Sequence, residues 1–227
     1  MSSEAFSNLK SFVRSIVYLF VLIWYSVCNA GSYDDFFSAV RHDDARTVNG
    51  LLIRGFDPNT SSPHGESGLF LAVKESAFNV AAALLAWPGT HAESRTPNDE
   101  SPLMLAALNG LTDWCQKLIA RGADVNKTGW TPLHYAATNG HVAAINVLLE
   151  EHAYIDAESP NGTTPLMMAA RYGTPEAVKL LLEAGADAEL RNVQGLSALD
   201  FARDGQRPDA QELIAAAVRL KQSERAR

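Results

Sequence analysis

Thr131-Pro132-Leu133-His134-Tyr135-Ala136-Ala137-Thr138-Asn139-Gly140-His141 is the stretch that decides how this chain is read. Weaker copies flank it at near-regular intervals. Ser101-Pro102-Leu103-Met104-Leu105-Ala106-Ala107 begins 30 residues earlier, and Thr164-Pro165-Leu166-Met167-Met168-Ala169-Ala170 begins 33 residues later. Ser197-Ala198-Leu199 follows after another 33, and Ser67-Gly68-Leu69 lies 34 before Ser101. A period near 33 means stacked units, none of which buries its apolar face alone. It also directs the search for function toward contact rather than chemistry.

Each unit reads as two short helices and a loop. In the best copy Thr131 is an N-cap, Pro132 suits the first helical turn, and Leu133, Ala136 and Ala137 share one apolar face. Gly140 ends that helix, and Val142, Ile145, Leu148 and Leu149 form the apolar face of the next. Thr174-Pro175-Glu176 restarts the second helix one unit later with a cap, a helix-starting proline and a first-turn acid. Gly55, Gly122 and Gly185 fall at equivalent places after second helices, where the chain needs a positive φ. His152 stands at that place in the fourth unit, which predicts a strained or altered turn.

These matching pieces, together with Leu118-Ile119-Ala120-Arg121-Gly122-Ala123-Asp124-Val125-Asn126 and Leu180 through Asp187, resemble ankyrin repeats from Tyr33 to Lys221. The resemblance implies an all-α solenoid of helix-turn-helix units with hairpin-like fingers on one side. Six repeats are expected, at about 33–63, 64–97, 98–127, 128–160, 161–193 and 194–221, within a domain spanning 31–221, with 222–227 as a disordered tail. The first and last repeats depart from the pattern and look like polar caps. In the last, Asp200 stands where the family has His. The second should be less regular, with Gly68 in its motif and Trp87-Pro88-Gly89 near its end. The spacing from Ser101 to Thr131 is three residues short of the family period, so the finger at Asn126–Trp130 should be stunted.

The first thirty residues differ from the rest. Lys10 and Arg14 precede an apolar run from Ile16 to Val27, and Cys28-Asn29-Ala30 forms a small-residue exit. This pattern predicts a signal peptide over 1–30, cleaved after Ala30. The run has 12 residues, whereas a membrane span needs about 20. An uncleaved anchor is the alternative, and membrane contact is expected only in that case. Either way the body lies on the non-cytoplasmic side. Tyr33-Asp34-Asp35-Phe36-Phe37, Gly55-Phe56-Asp57-Pro58-Asn59 and Asn161 through Gly173 are similar to exported ankyrin proteins of Gram-negative bacteria, which implies the periplasm or secretion. Without Cys28 the chain keeps only Cys115, so no internal disulfide framework is expected. Cys115 aligns with Ile145 and Val178 and reads as a buried small hydrophobe.

The net charge is −7, or −8 without the first thirty residues. That balance gives no support to a nucleic-acid partner. No Cys/His pair has zinc spacing, no serine sits in a nucleophile elbow, and no glycine-rich loop opens a helix after a strand. Asp34-Asp35 and Asp43-Asp44 match no twelve-residue calcium loop. No enzyme, metal or cofactor is expected. The expected function is protein binding, by a monomer, through the concave face and finger tips. The resemblance places the contact positions at Lys74, Glu75, Leu108, Asn109, Thr138, Asn139, Arg171 and Tyr172, and on the fingers at Glu100, Trp130, Thr163 and Leu196. Trp130, Arg171 and Tyr172 are residue types that favour interface hot spots. Trp114 is expected to pack between repeats, and His134 to hold local structure. Groove binding of a small ligand and a membrane-anchored scaffold are the alternatives.

Overall fold

Short helices alternate with tight turns throughout residues 31–226, the part of the chain that the structure, a computed structural model, describes. The expected signal peptide, its cleavage point and Arg227 lie outside the described residues. Helix α1 occupies residues 31–41. It pairs with α2 (Ala45–Ile53), followed by α3 (Gly68–Lys74) with α4 (Phe78–Ala86) and α5 (Pro102–Leu108) with α6 (Thr112–Ala120). Then come α7 (Pro132–Asn139) with α8 (Val142–Glu150), α9 (Pro165–Tyr172) with α10 (Pro175–Glu183), and α11 (Ala198–Asp204) with α12 (Pro208–Arg225). First helices pack in the sequence α3, α5, α7, α9, α11, and second helices form a parallel layer behind them. The described chain is an all-α ankyrin-type solenoid.

The caps start each first helix reproducibly. The hydroxyls of Ser67, Ser101 and Thr164 accept from the backbone N–H three residues on, at 3.1, 3.3 and 3.4 Å. The residue at that third position returns a bond to the cap's own N–H. The acceptor is Met104 Sδ at 3.3 Å, His134 Nδ1 at 3.1 Å, Met167 Sδ at 3.4 Å or Asp200 Oδ2 at 2.9 Å. This reciprocal box satisfies two donors that a helix start would otherwise leave open. Asp200 therefore performs the local task of the histidine it replaces.

The core is one continuous row. Leu103, Leu133 and Leu166 of the first helices are fully buried, as are Leu84, Leu118, Leu148 and Leu181 of the second. The alanine pairs 106/107, 136/137 and 169/170 are buried beside them and let neighbouring helices approach. Contact is close enough at Gly140 that a Cβ would lie 2.6 Å from the backbone nitrogen of Thr174. That glycine also has φ of +69°, which ends α7 in the left-handed conformation. Trp114 stacks on Phe78 of the preceding unit with centroids 5.4 Å apart, an inter-repeat contact. Cys115 is buried, and burial pushes its thiol up to about 12.

Four fingers share a two-bond turn. The amides of Ser62, Thr96, Ser159 and Asn192 donate to the carbonyls of Glu66, Glu100, Thr163 and Leu196, at 2.8 to 3.0 Å. Among the described residues no such backbone pair closes 126–130, where three residues fewer connect Asn126 to the next cap than connect Asn59 or Glu189 to theirs. The stunted finger is real. Asn126 nevertheless keeps its clip to the following unit, donating to His152 O at 2.8 Å and accepting from Tyr154 N–H at 2.7 Å. His152 takes φ of +63° where Gly55, Gly122 and Gly185 take +90°, +87° and +101°. The second repeat is irregular at its end, since Trp87 leaves α4 extended rather than left-handed.

One boundary needs correction. The tail expected to be disordered from 222 continues α12 to Arg225. Its cations are paired rather than free: Lys221 lies 2.8 Å from Asp187 and Arg225 lies 2.9 Å from Glu189. Lys221 and Arg225 therefore dock the last helix on the base of the preceding finger.

Candidate functional site

Helical spacing aligns side chains of successive first helices into columns along the stack. Four residues after each cap stand Leu71, Leu105, Tyr135, Met168 and Phe201; seven after stand Lys74, Leu108, Thr138, Arg171 and Asp204. Just before the caps stand Glu66, Glu100, Trp130, Thr163 and Leu196. The buried stripe of each helix is already supplied by the leucine and two alanines, so the fourth-position column is surplus apolar surface. Leu71, Leu105, Tyr135 and Met168 are accordingly only partly buried.

These columns meet in an apolar depression of about 260 Å³, lined by Leu108, Trp130, His134, Tyr135, Thr138 and Met168. Leu108, Trp130 and Thr138 are contact positions expected from the sequence, and the structure brings them together. Tyr135 and Met168 were not expected there; their signal was the surplus apolar column.

Trp130 is held by the shortened finger. Lys127, with a side chain only 1% exposed, places Nζ 2.5 Å from Asp99 Oδ2 and 3.0 Å from Trp130 O. Asp99 also accepts from Arg95 at 2.9 Å, and Lys127 and Arg95 hold its carboxyl below the usual range. The indole meets the His134 ring edge-on at 5.2 Å. His134 is fully buried. Because its Nδ1 accepts from Thr131 N–H, its Nε2 carries the proton and donates to Thr163 O at 2.9 Å. Burial first, and the nearby Lys127 charge to a lesser degree, bring its pKa down to about 4, so the ring is neutral at pH 7. Thr138 directs its hydroxyl back to His134 O at 2.7 Å. Burial, then the carboxylates of Glu100 and Asp99, raise the Tyr135 phenol above its ordinary value.

The remaining expected positions are distributed around this centre. Lys74 pairs with Glu66 at 2.7 Å, and Arg171 pairs with Asp204 at 2.7 Å while lying 5.2 Å from the Tyr172 ring centroid. Tyr172 and Leu196 are exposed, at 52% and 38%. Glu75 and Asn109 are exposed at the ends of α3 and α5, and Glu100 is half-buried. Asn139 is also exposed, but its amide is fixed to Leu108 O at 2.8 Å and so clamps two repeats together. Thr163 is corrected. It is 1% exposed, its amide donates to Ser159 Oγ at 3.0 Å and its carbonyl accepts from His134 Nε2–H. It is scaffold, because its finger is full length and folds over it. Among the described residues no group of three or more His, Cys, Asp or Glu is placed to hold a metal ion, and no helix is long and apolar enough to cross a membrane.

The sequence matches family models described as ankyrin repeats in three copies over residues 36–128 and 69–159, and as ankyrin repeats in many copies over 153–202. It is 33% identical over 129 residues to the ZDHHC13 protein of Danio rerio, covering 55% of this chain and 20% of that protein. The chain thus spans about a fifth of that relative's length. A chain in the complex of a predatory endopeptidase from Bdellovibrio bacteriovorus with an immunity protein superposes with a TM-score of 0.69 and 27% identity, over 80% of this chain and 97% of that one. An ankyrin repeat domain from Acinetobacter baumannii shares the fold, with a TM-score of 0.71 and 24% identity over 80% and 96% of the two chains.

Proposed function

This chain belongs to the ankyrin-repeat family of non-catalytic protein-binding scaffolds, and from that premise we propose that it grips a protein partner on the concave face around Trp130. The observation that carries the reading is the convergence of Trp130, Tyr135, Leu108 and Met168 on one apolar depression. Partly exposed aromatic residues over a rigid support are the usual anchors of protein interfaces. The hollow of about 260 Å³ lies below the roughly 300–1,000 Å³ typical of small-ligand sites. That favours a protruding side chain over a free metabolite.

The segment from Lys10 to Ala30 supports export, and with it a partner outside the cytoplasm. The Bdellovibrio complex supplies one concrete partner class to test, an endopeptidase. Mass spectrometry of the mature chain addresses export: a protein beginning at Gly31 is expected, and one beginning at Met1 supports the membrane-anchored alternative. For the binding face, a photo-crosslinking residue is placed at position 130 in cells, with position 53 as a control on a second helix. An adduct from 130 and none from 53 is the expected result. Adducts from 53 alone would move the site off the concave face.

A further inference from the structure

The charges bordering the depression are not balanced evenly. On the α9–α11 side, Arg171 is neutralised by Asp204 at 2.7 Å, and Asp200 by Arg203 at 3.2 Å. On the α3–α5 side, three carboxylates share one cation: Lys74 pairs with Glu66 at 2.7 Å and also feels Glu75 and Glu100, which form no ion pair of their own among the described residues. Glu100 occupies the column of Trp130 one repeat earlier, and Glu75 closes α3 beside the end of α5 that carries Leu108. Three carboxylates against one lysine leave an excess of negative charge on that side of the hollow. The Tyr135 phenol responds to the same carboxylate of Glu100.

We propose that the partner segment seated here presents one large apolar side chain with a lysine or arginine beside it, the cation lying toward Glu75 and Glu100. This rests on the concave-face reading above. An anionic segment would meet an excess of like charge, and a neutral one would cover Glu100 without replacing its water. A cation next to the apolar anchor satisfies both faces of the site at once. The paired Arg171 offers no equivalent attraction for an acidic group on the other side.

The test uses the full chain and fluorescein-labelled Gly/Ser peptides bearing a leucine or phenylalanine, with Lys, Ser or Glu two residues away. Binding is read by fluorescence polarisation at about 50 mM and about 300 mM salt. The Lys peptide should bind about 5-fold tighter than the Ser peptide at low salt, from two partly exposed ion pairs, with the Glu peptide weakest. That preference should vanish in the Glu75→Gln/Glu100→Gln variant and survive in Arg171→Ala. Trp130→Ala should weaken every peptide about 30-fold, and Leu108→Lys serves as a second block should Trp130→Ala unfold by circular dichroism. Peptides that need Trp130 but show no charge preference would overturn the cation and leave the concave-face reading intact. Binding indifferent to both Trp130→Ala and Leu108→Lys, or none up to about 1 mM, would overturn both.

Discussion

Replacing His134 with methionine should invert the order of stability between pH 7 and pH 5. Methionine already occupies the equivalent places at Met104 and Met167, where its sulfur accepts from the cap N–H at 3.3 and 3.4 Å. His134→Met therefore keeps the acceptor of the capping box. It loses the Nε2–H donated to Thr163 O at 2.9 Å. Near pH 7 that loss should cost about 1 kcal/mol. The wild-type ring has its own liability. Its pKa falls from 6.5 to about 4 on folding, because burial disfavours the charged form. Above pH 6.5 the ring is neutral in both states and there is no penalty. As the pH falls from 6.5 toward 4, the unfolded chain takes a proton that the folded chain refuses, and stability is lost. At pH 5 the difference is about 1.5 pH units, or about 2 kcal/mol. The wild type should thus lead by about 1 kcal/mol at pH 7 and trail by about 1 kcal/mol at pH 5. Thermal scans followed by circular dichroism at the two pH values would register this as a relative change of about 4–8 °C. Comparing the two proteins cancels the carboxylates they share. Parallel loss of stability by both would refute a buried neutral histidine as the titrating group.

Gly140→Ala should cost about 2–4 kcal/mol, because it combines a left-handed backbone with a collision against Thr174. Gly122→Ala, at φ of +87° with open space around it, should cost only about 1 kcal/mol; equal costs in urea denaturation would contradict the close approach. His152→Gly should stabilise by about 0.5–1 kcal/mol, the relief of left-handed strain at +63° set against the extra chain entropy of glycine; a fall in the denaturation midpoint would count against it. Cys115, buried with its thiol pushed to about 12, should resist a thiol reagent at pH 8 and react only in denaturant; rapid labelling of the folded chain would place it at the surface.

Much of this architecture was legible because its determinants are local. A Ser or Thr cap, a proline, a leucine and two alanines specify a helix start and its buried face within seven residues. Gly55, Gly122 and Gly185 were readable as positive-φ turns, and Gly140 as a helix end, for the same reason. The missing residues before Thr131 announced the short finger. Long-range placement was less readable. Trp130 and Thr163 occupy the same column, and both were expected at the contact surface. Only the length of the finger in front of each separates them. Lys127 gave no sign in the sequence that its amine would be buried under Trp130, since its partner Asp99 lies 28 residues away.

The sequence by itself determined the repeat, its capping chemistry and the buried face of each helix, because those depend on residues within one or two turns of each other. The tertiary structure decided which apolar side chains were left over. Tyr135 and Met168 come from different repeats, and His134 spans two by reaching Thr163; stacking sets the distance between them. It also decided which charges were cancelled, pairing Arg171 with Asp204 and leaving Lys74 alone against Glu66, Glu75 and Glu100. Pairing between units depends on how the helices stack, and a pattern read along one unit carries no record of it.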